Sequence, residues 1–147
     1  MNDFLTRLPE FIGNHLVLSA AFLALLTAVI ITELMHLLRG DKLLTPAALT
    51  QLINRDNALV IDLSPQADFE KGHIPGAKHV AWSAFDPENK DLAKVKEHPI
   101  AVCCRSGVTA SKASQRLLKA GFTRVYTLAG GIDAWRRADL PLAKGKA

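Results

Sequence analysis

From Leu16 to Thr32 the chain runs LVLSAAFLALLTAVIIT without a charge, a proline or a glycine, and Leu34, Met35, Leu37 and Leu38 carry the run past Glu33. A helix that crosses a bilayer needs about 20 predominantly apolar residues, within a range of about 17 to 25, so this stretch is long enough to span. Its polar members, Ser19, Thr27 and Thr32, can return their hydroxyls to backbone carbonyls. A buried core helix usually keeps a polar edge, which is missing here. A cleaved signal peptide would have a basic leader and a small-residue cleavage site. The residues before the run set Arg7 against Asp3 and Glu10, and the run closes on Thr-Glu-Leu-Met-His, so neither mark is present.

The expectation is an uncleaved single-pass anchor, divided as a short leader over 1–14, a transmembrane helix over 15–38, a linker over 39–42 and one globular domain over 43–147. Only Arg7 precedes the span, whereas Arg39, Lys42 and Arg55 follow it. The retention of basic flanks on the cytoplasmic side then predicts a cell inner membrane protein whose domain faces the cytoplasm. The two cysteines, Cys103 and Cys104, are adjacent, so no disulfide framework is expected, in keeping with a reducing compartment. From Arg39 onward the chain holds 17 of the 18 Lys and Arg and 11 of the 14 Asp and Glu, an excess of six positive charges. Such a balance suits solubility and an anionic leaflet. Nucleic-acid binding is not expected, because no aromatic interleaving or reader motif accompanies the charge.

After the linker, Thr45-Pro46 offers an N-cap and a first-turn proline for a helix through about Asn54. Apolar runs recur at Ala58–Leu63, Ala77–Ala81, Ile100–Cys104 and Arg124–Leu128, each the length of a short buried strand. The segments between them have helical spacing, clearest over Ala110–Ala120. Strand and helix in alternation argue for a parallel sheet covered on both faces, with its ligand site off the carboxyl ends of the strands.

Cys104 stands at one of those ends and opens the loop Cys104-Arg105-Ser106-Gly107-Val108-Thr109, which leads into a helix. Amides of Arg105 to Thr109 can turn inward on the sulfur, the helix start adds positive potential, and Gly107 permits the curl. These features expose a thiolate and favour it over the thiol. Strand alternation sends Cys103 to the opposite side, as a small hydrophobe in the core. The scattered His15, His36, His79 and His98 make no metal constellation, so neither a metal nor another cofactor is expected.

Four stretches together resemble a single-domain rhodanese, of the membrane-anchored bacterial type: Ile61-Asp62-Leu63, Asp68-Phe-Glu-Lys-Gly-His-Ile-Pro-Gly-Ala77, Cys104-Arg-Ser-Gly-Val-Thr109 and Leu128-Ala-Gly-Gly-Ile-Asp-Ala-Trp135. The resemblance covers about Leu43 to Leu142. It implies a five-stranded parallel sheet flanked by helices, and a sulfurtransferase in which Cys104 takes sulfane sulfur from thiosulfate or a persulfide and passes it to a thiol or cyanide. In that scheme Arg105, Ser106, Gly107, Val108 and Thr109 bind the substrate, Arg105 as a clamp on the anionic donor, and Asp62 supports the loops. Gly72, Pro75, Gly76, Gly130 and Gly131 read as turn formers, Trp135 as a core anchor and His73 as a loop histidine.

Two departures bear on the donor. Many relatives have Asp-x-Arg where this chain has Asp62-Leu63-Ser64, and many have Arg at the sixth loop position, here Thr109. Both remove positive charge beside the sulfur and weigh against thiosulfate as the natural donor. A phosphatase of the Cys-x5-Arg type is disfavoured, since Ala110 stands where its arginine would bind equatorial oxygens. The alternative from another class is a membrane-tethered scaffold whose chemistry is incidental and whose partners are membrane proteins.

Overall fold

The computed structural model describes Arg7, Pro9, residues 11–38 and residues 40–146, without the side chains of His36 and Leu37. Much of the expected leader, and Arg39 of the expected linker, lie outside the described residues. The chain divides into two compact units, Met1–Arg39 and Gly40–Ala147.

The first unit is dominated by helix α1, Leu16–Leu38. Among the described residues one helix, over Leu16–Met35, is long and apolar enough to cross a membrane, and none of its span is buried by protein. Thr27 Oγ1 donates to the Leu23 carbonyl at 2.7 Å and Thr32 Oγ1 to the Val29 carbonyl at 2.8 Å, so both hydroxyls are satisfied inside the helix, as an apolar surrounding requires.

In the second unit the strands are β1 (Lys42–Leu44), β2 (Leu59–Asp62), β3 (Lys78–His79), β4 (Ile100–Cys103) and β5 (Val125–Leu128). They form one sheet in the order β1-β5-β4-β2-β3, and every pair is parallel. The five-stranded parallel sheet expected from the resemblance is therefore present. Four strands fall within the apolar runs read from the sequence. The fifth, β1, is a three-residue edge strand ordered by its register with Tyr126, Thr127 and Leu128 rather than by any pattern of its own.

The helices are α2 (Pro46–Asp56), α3 (Gln66–Lys71), α4 (Lys90–Ala93), α5 (Val108–Lys119) and α6 (Gly131–Arg137), with a 3-10 turn at Trp82–Ala84. Thr45 caps α2, its Oγ1 accepting from the Ala48 amide at 3.2 Å, and Pro46 opens the helix. The helix runs two residues past the predicted Asn54 and stops at Asn57, whose φ of 51° is left-handed. Alternating residues of the strands face two cores. Ile61, Val102 and Leu63 pack with Ala110, Ala113 and Leu117 of α5 on one face. Val60, Ala101 and Cys103 pack with Leu49, Phe69, Ile132 and Trp135 of α2, α3 and α6 on the other. All-parallel sheets need this cover on both faces.

The structure differs from the sequence reading over the linker, because Asp41 and Lys42 belong to the second unit and Asp41 is buried. Asp41 Oδ2 accepts from Ser114 Oγ at 2.8 Å and from Thr127 Oγ1 at 2.9 Å, while Oδ1 accepts from Gln115 Nε2 at 3.2 Å. One carboxylate thus ties the start of the domain to α5 and β5. In Asp41→Ala the buried Thr127 hydroxyl loses its acceptor, whereas Ser114 keeps a bond to the Ser111 carbonyl. A lost charge-assisted bond and an orphaned hydroxyl should together cost about 2–4 kcal/mol, read as a lowered urea midpoint. Asp41→Asn, which keeps an acceptor oxygen, should cost less.

Candidate sulfur-binding site

β4 lies at the centre of the sheet between β5 and β2, and the loop that leaves its carboxyl end carries Cys104 directly into α5. The Gly107 N–H donates to Cys104 Sγ at 3.0 Å. Gly107 has φ 99°, a conformation that glycine adopts at little cost and that curls the loop back over the sulfur. The first turn of α5 then closes, with the Ser111 N–H on the Gly107 carbonyl at 3.0 Å.

The two cysteines part as strand alternation predicts. Cys103 is fully buried in the core beneath α3 and α6, directly in register with Asp62 of β2. Burial, then the Asp62 carboxylate, then Cys104 push the Cys103 thiol well above its ordinary range and keep it protonated. Cys104 faces the other core, beside Leu63, Val102 and Ala110. It is only 4% exposed, whereas an open sulfur was expected. The loop folds over it, with the Gly107 amide turned inward onto the sulfur.

Of the other loop residues, Arg105, Ser106 and Val108 point to solvent and Gly107 and Thr109 are half-buried. Arg105 Nε lies 3.9 Å from Asp133 Oδ2, with 71% of the arginine side chain exposed. Asp62 Oδ1 accepts from the Ser64 amide at 2.8 Å, which shapes the turn after β2, and its buried Oδ2 has no hydrogen-bond partner among the described residues. His73 is stacked on Phe69 at 3.7 Å, with Nδ1 2.8 Å from the Phe69 carbonyl. Trp135 donates Nε1–H to the Pro141 carbonyl at 2.9 Å from within the core. Among the described residues no group of His, Cys, Asp and Glu could hold a metal ion.

Gly131 was missed as a residue of the site. The Ile132 and Asp133 amides at the start of α6 donate to the Cys104 and Arg105 carbonyls at 2.9 and 3.3 Å, and clamp the outer side of the sulfur loop. Gly131 makes this approach possible, since a Cβ there would overlap both of those carbonyl oxygens. The adjacent Gly130-Gly131 pair before a helix was the available signal.

The chain is 38% identical over 141 residues to the uncharacterized protein YibN of Escherichia coli (strain K12), across 95% of this chain and 99% of that one. It is 28% identical over 103 residues to the thiosulfate sulfurtransferase GlpE of Glaesserella parasuis, across 69% of this chain and 93% of that one. Among solved structures, the fold matches a rhodanese-related protein from Thermoplasma volcanium with a TM-score of 0.59 at 20% identity, over 69% of this chain and 97% of that one. The family described as "Rhodanese-like domain" matches residues 45–138, which include the whole of the Cys104 loop and its clamp from α6, and the chain belongs to that family.

Proposed function

We propose that this chain is a sulfurtransferase in which Cys104 forms a persulfide and hands its outer sulfur to a nucleophilic acceptor. The observation that carries the reading is the Cys104 sulfur at the end of β4, held by the Gly107 amide at 3.0 Å. With thiosulfate, the Cys104 thiolate attacks the outer sulfur, the S–S bond of the donor breaks, and sulfite leaves with the bonding pair. With a persulfide R–S–SH, the same attack transfers the SH group and releases R–S⁻. In both cases an acceptor thiolate or cyanide then attacks the outer sulfur of Cys104 and regenerates the thiolate. Each step is redox-neutral, and the residues need only hold an anionic sulfur, which an inward amide does. The short loop and the near-complete burial of Cys104 suit one sulfur atom better than a bound tetrahedral oxyanion.

Turnover of thiosulfate and of cysteine persulfide, measured on the full chain in detergent, tests the reading. Both donors should support transfer, and Cys104→Ser should support none. A full chain that turns over neither donor favours the scaffold alternative. Arg105 supplies the cation within the loop itself, but its exposure weakens the contact that it can offer. Arg105→Ala should therefore slow thiosulfate transfer about 3- to 10-fold, less than loss of a buried charge-assisted contact, and added salt should shrink the difference.

The reading also places the domain at a membrane, on the strength of α1, with the cytoplasmic side of the cell inner membrane favoured by the basic residues after the span. The chain should resist carbonate extraction from membranes, and a protease added to intact spheroplasts should leave the domain uncut. Cleavage from outside reverses the orientation.

A further inference from the structure

A cleft of about 190 Å³ opens between α3 and α6 and shares Arg105 with the sulfur loop. Lys71 from α3 and Arg136 from α6 line it too, so three cations face one small space. Asp68 and Asp133 are the carboxylates in the same lining, which leaves one positive charge in excess. Asp133 is already 3.9 Å from Arg105, while Lys71 and Arg136 form no ion pair among the described residues. Gly72 gives the cleft a bare backbone wall: a Cβ there would lie 3.3 Å from Arg136 Nη2, so any larger residue would press on the guanidinium. Ser64, at the turn after β2, lines the cleft as well.

We infer that this cleft binds a carboxylate of the sulfur donor, and that the preferred donors are low-molecular-weight persulfides that bear one. The inference rests on the sulfur-transfer reading of Cys104 and deepens it by naming a substrate class. The volume holds a carboxylate with its neighbouring carbons, and Arg105 joins this space to the loop that carries Cys104. A guanidinium fork matches a planar carboxylate with two parallel hydrogen bonds, and the Lys71 ammonium adds a point charge. Thiosulfate has no arm with which to occupy both the loop and the cleft.

The test compares glutathione persulfide, which carries carboxylates, with 2-mercaptoethanol persulfide, which carries none, on the full chain in detergent. The ratio of their kcat/KM values should fall about 5- to 10-fold in Arg136→Ala, the loss of one charge-assisted contact at a partly solvated site. Lys71→Ala should lower it in the same direction, Arg136→Lys should keep most of it, and salt should lower it in the unsubstituted chain. An unchanged ratio in both alanine variants, or an equal fall for both donors, overturns the cleft assignment. If 2-mercaptoethanol persulfide still loads sulfur onto Cys104 in that case, sulfur transfer stands and the cleft alone is wrong. If neither donor loads Cys104 in the unsubstituted chain, both readings fall together.

Discussion

Gly131→Ala should abolish sulfur transfer and destabilise the domain by about 3–5 kcal/mol, at the upper end of what single substitutions do. Two costs combine. Gly131 has φ 63°, and the left-handed region costs a residue with a Cβ about 1–2 kcal/mol. The new methyl would also overlap the Cys104 and Arg105 carbonyl oxygens and lie 2.7 Å from the Arg105 carbonyl carbon. These are backbone atoms, which no rotamer change can move aside. To admit the methyl, α6 must withdraw and give up the bonds from Ile132 and Asp133 to the loop carbonyls. Gly107 is the control. It has φ 99°, but a Cβ there meets nothing nearer than the Leu128 carbonyl oxygen at 3.7 Å. Gly107→Ala should cost only the conformational part, about 1–2 kcal/mol. Urea unfolding followed by tryptophan fluorescence separates the two, and equal losses in both variants would count against the clamp from α6.

The second large effect separates the cysteines. Cys104→Ser should remove transfer completely, because a serine hydroxyl stays protonated where a thiolate is the nucleophile. Cys103→Ala should retain transfer and lose about 1 kcal/mol of stability, the common size for a small change in a packed core. Cys103 has no route to the donor, being fully buried under α3 and α6, and burial with the Asp62 carboxylate beside it holds the thiol protonated. Loss of transfer in a well-folded Cys103→Ala variant would point instead to a mechanism that uses both thiols.

What the sequence revealed follows from where its signals are local. The runs that became β2, β4 and β5 are apolar because parallel strands are buried on both faces, and that burial is visible in composition. The division between Cys103 and Cys104 follows from period-two alternation. β1 was hidden because Lys42–Leu44 owes its order to β5, a partner far along the chain. Asp41 was hidden for a related reason: a polar residue within Arg-Gly-Asp-Lys looks like a solvated link until Ser114, Gln115 and Thr127 arrive from elsewhere. The near-closure of the loop over Cys104 depends on the inward Gly107 amide and on α6, neither of which is fixed by residue type at that position. Lys71 and Arg136 read as ordinary charges on helix ends, and only folding brings them to one cleft with Arg105.

The central claim is that Cys104 carries sulfur, and intact mass of the full chain after incubation with thiosulfate or cysteine persulfide tests it most directly. The account predicts a gain of about 32 Da, one sulfur atom, in the unsubstituted chain and in Cys103→Ala, reversed by a thiol acceptor and absent from Cys104→Ser. No adduct with either donor, or an adduct that persists in Cys104→Ser, would contradict it.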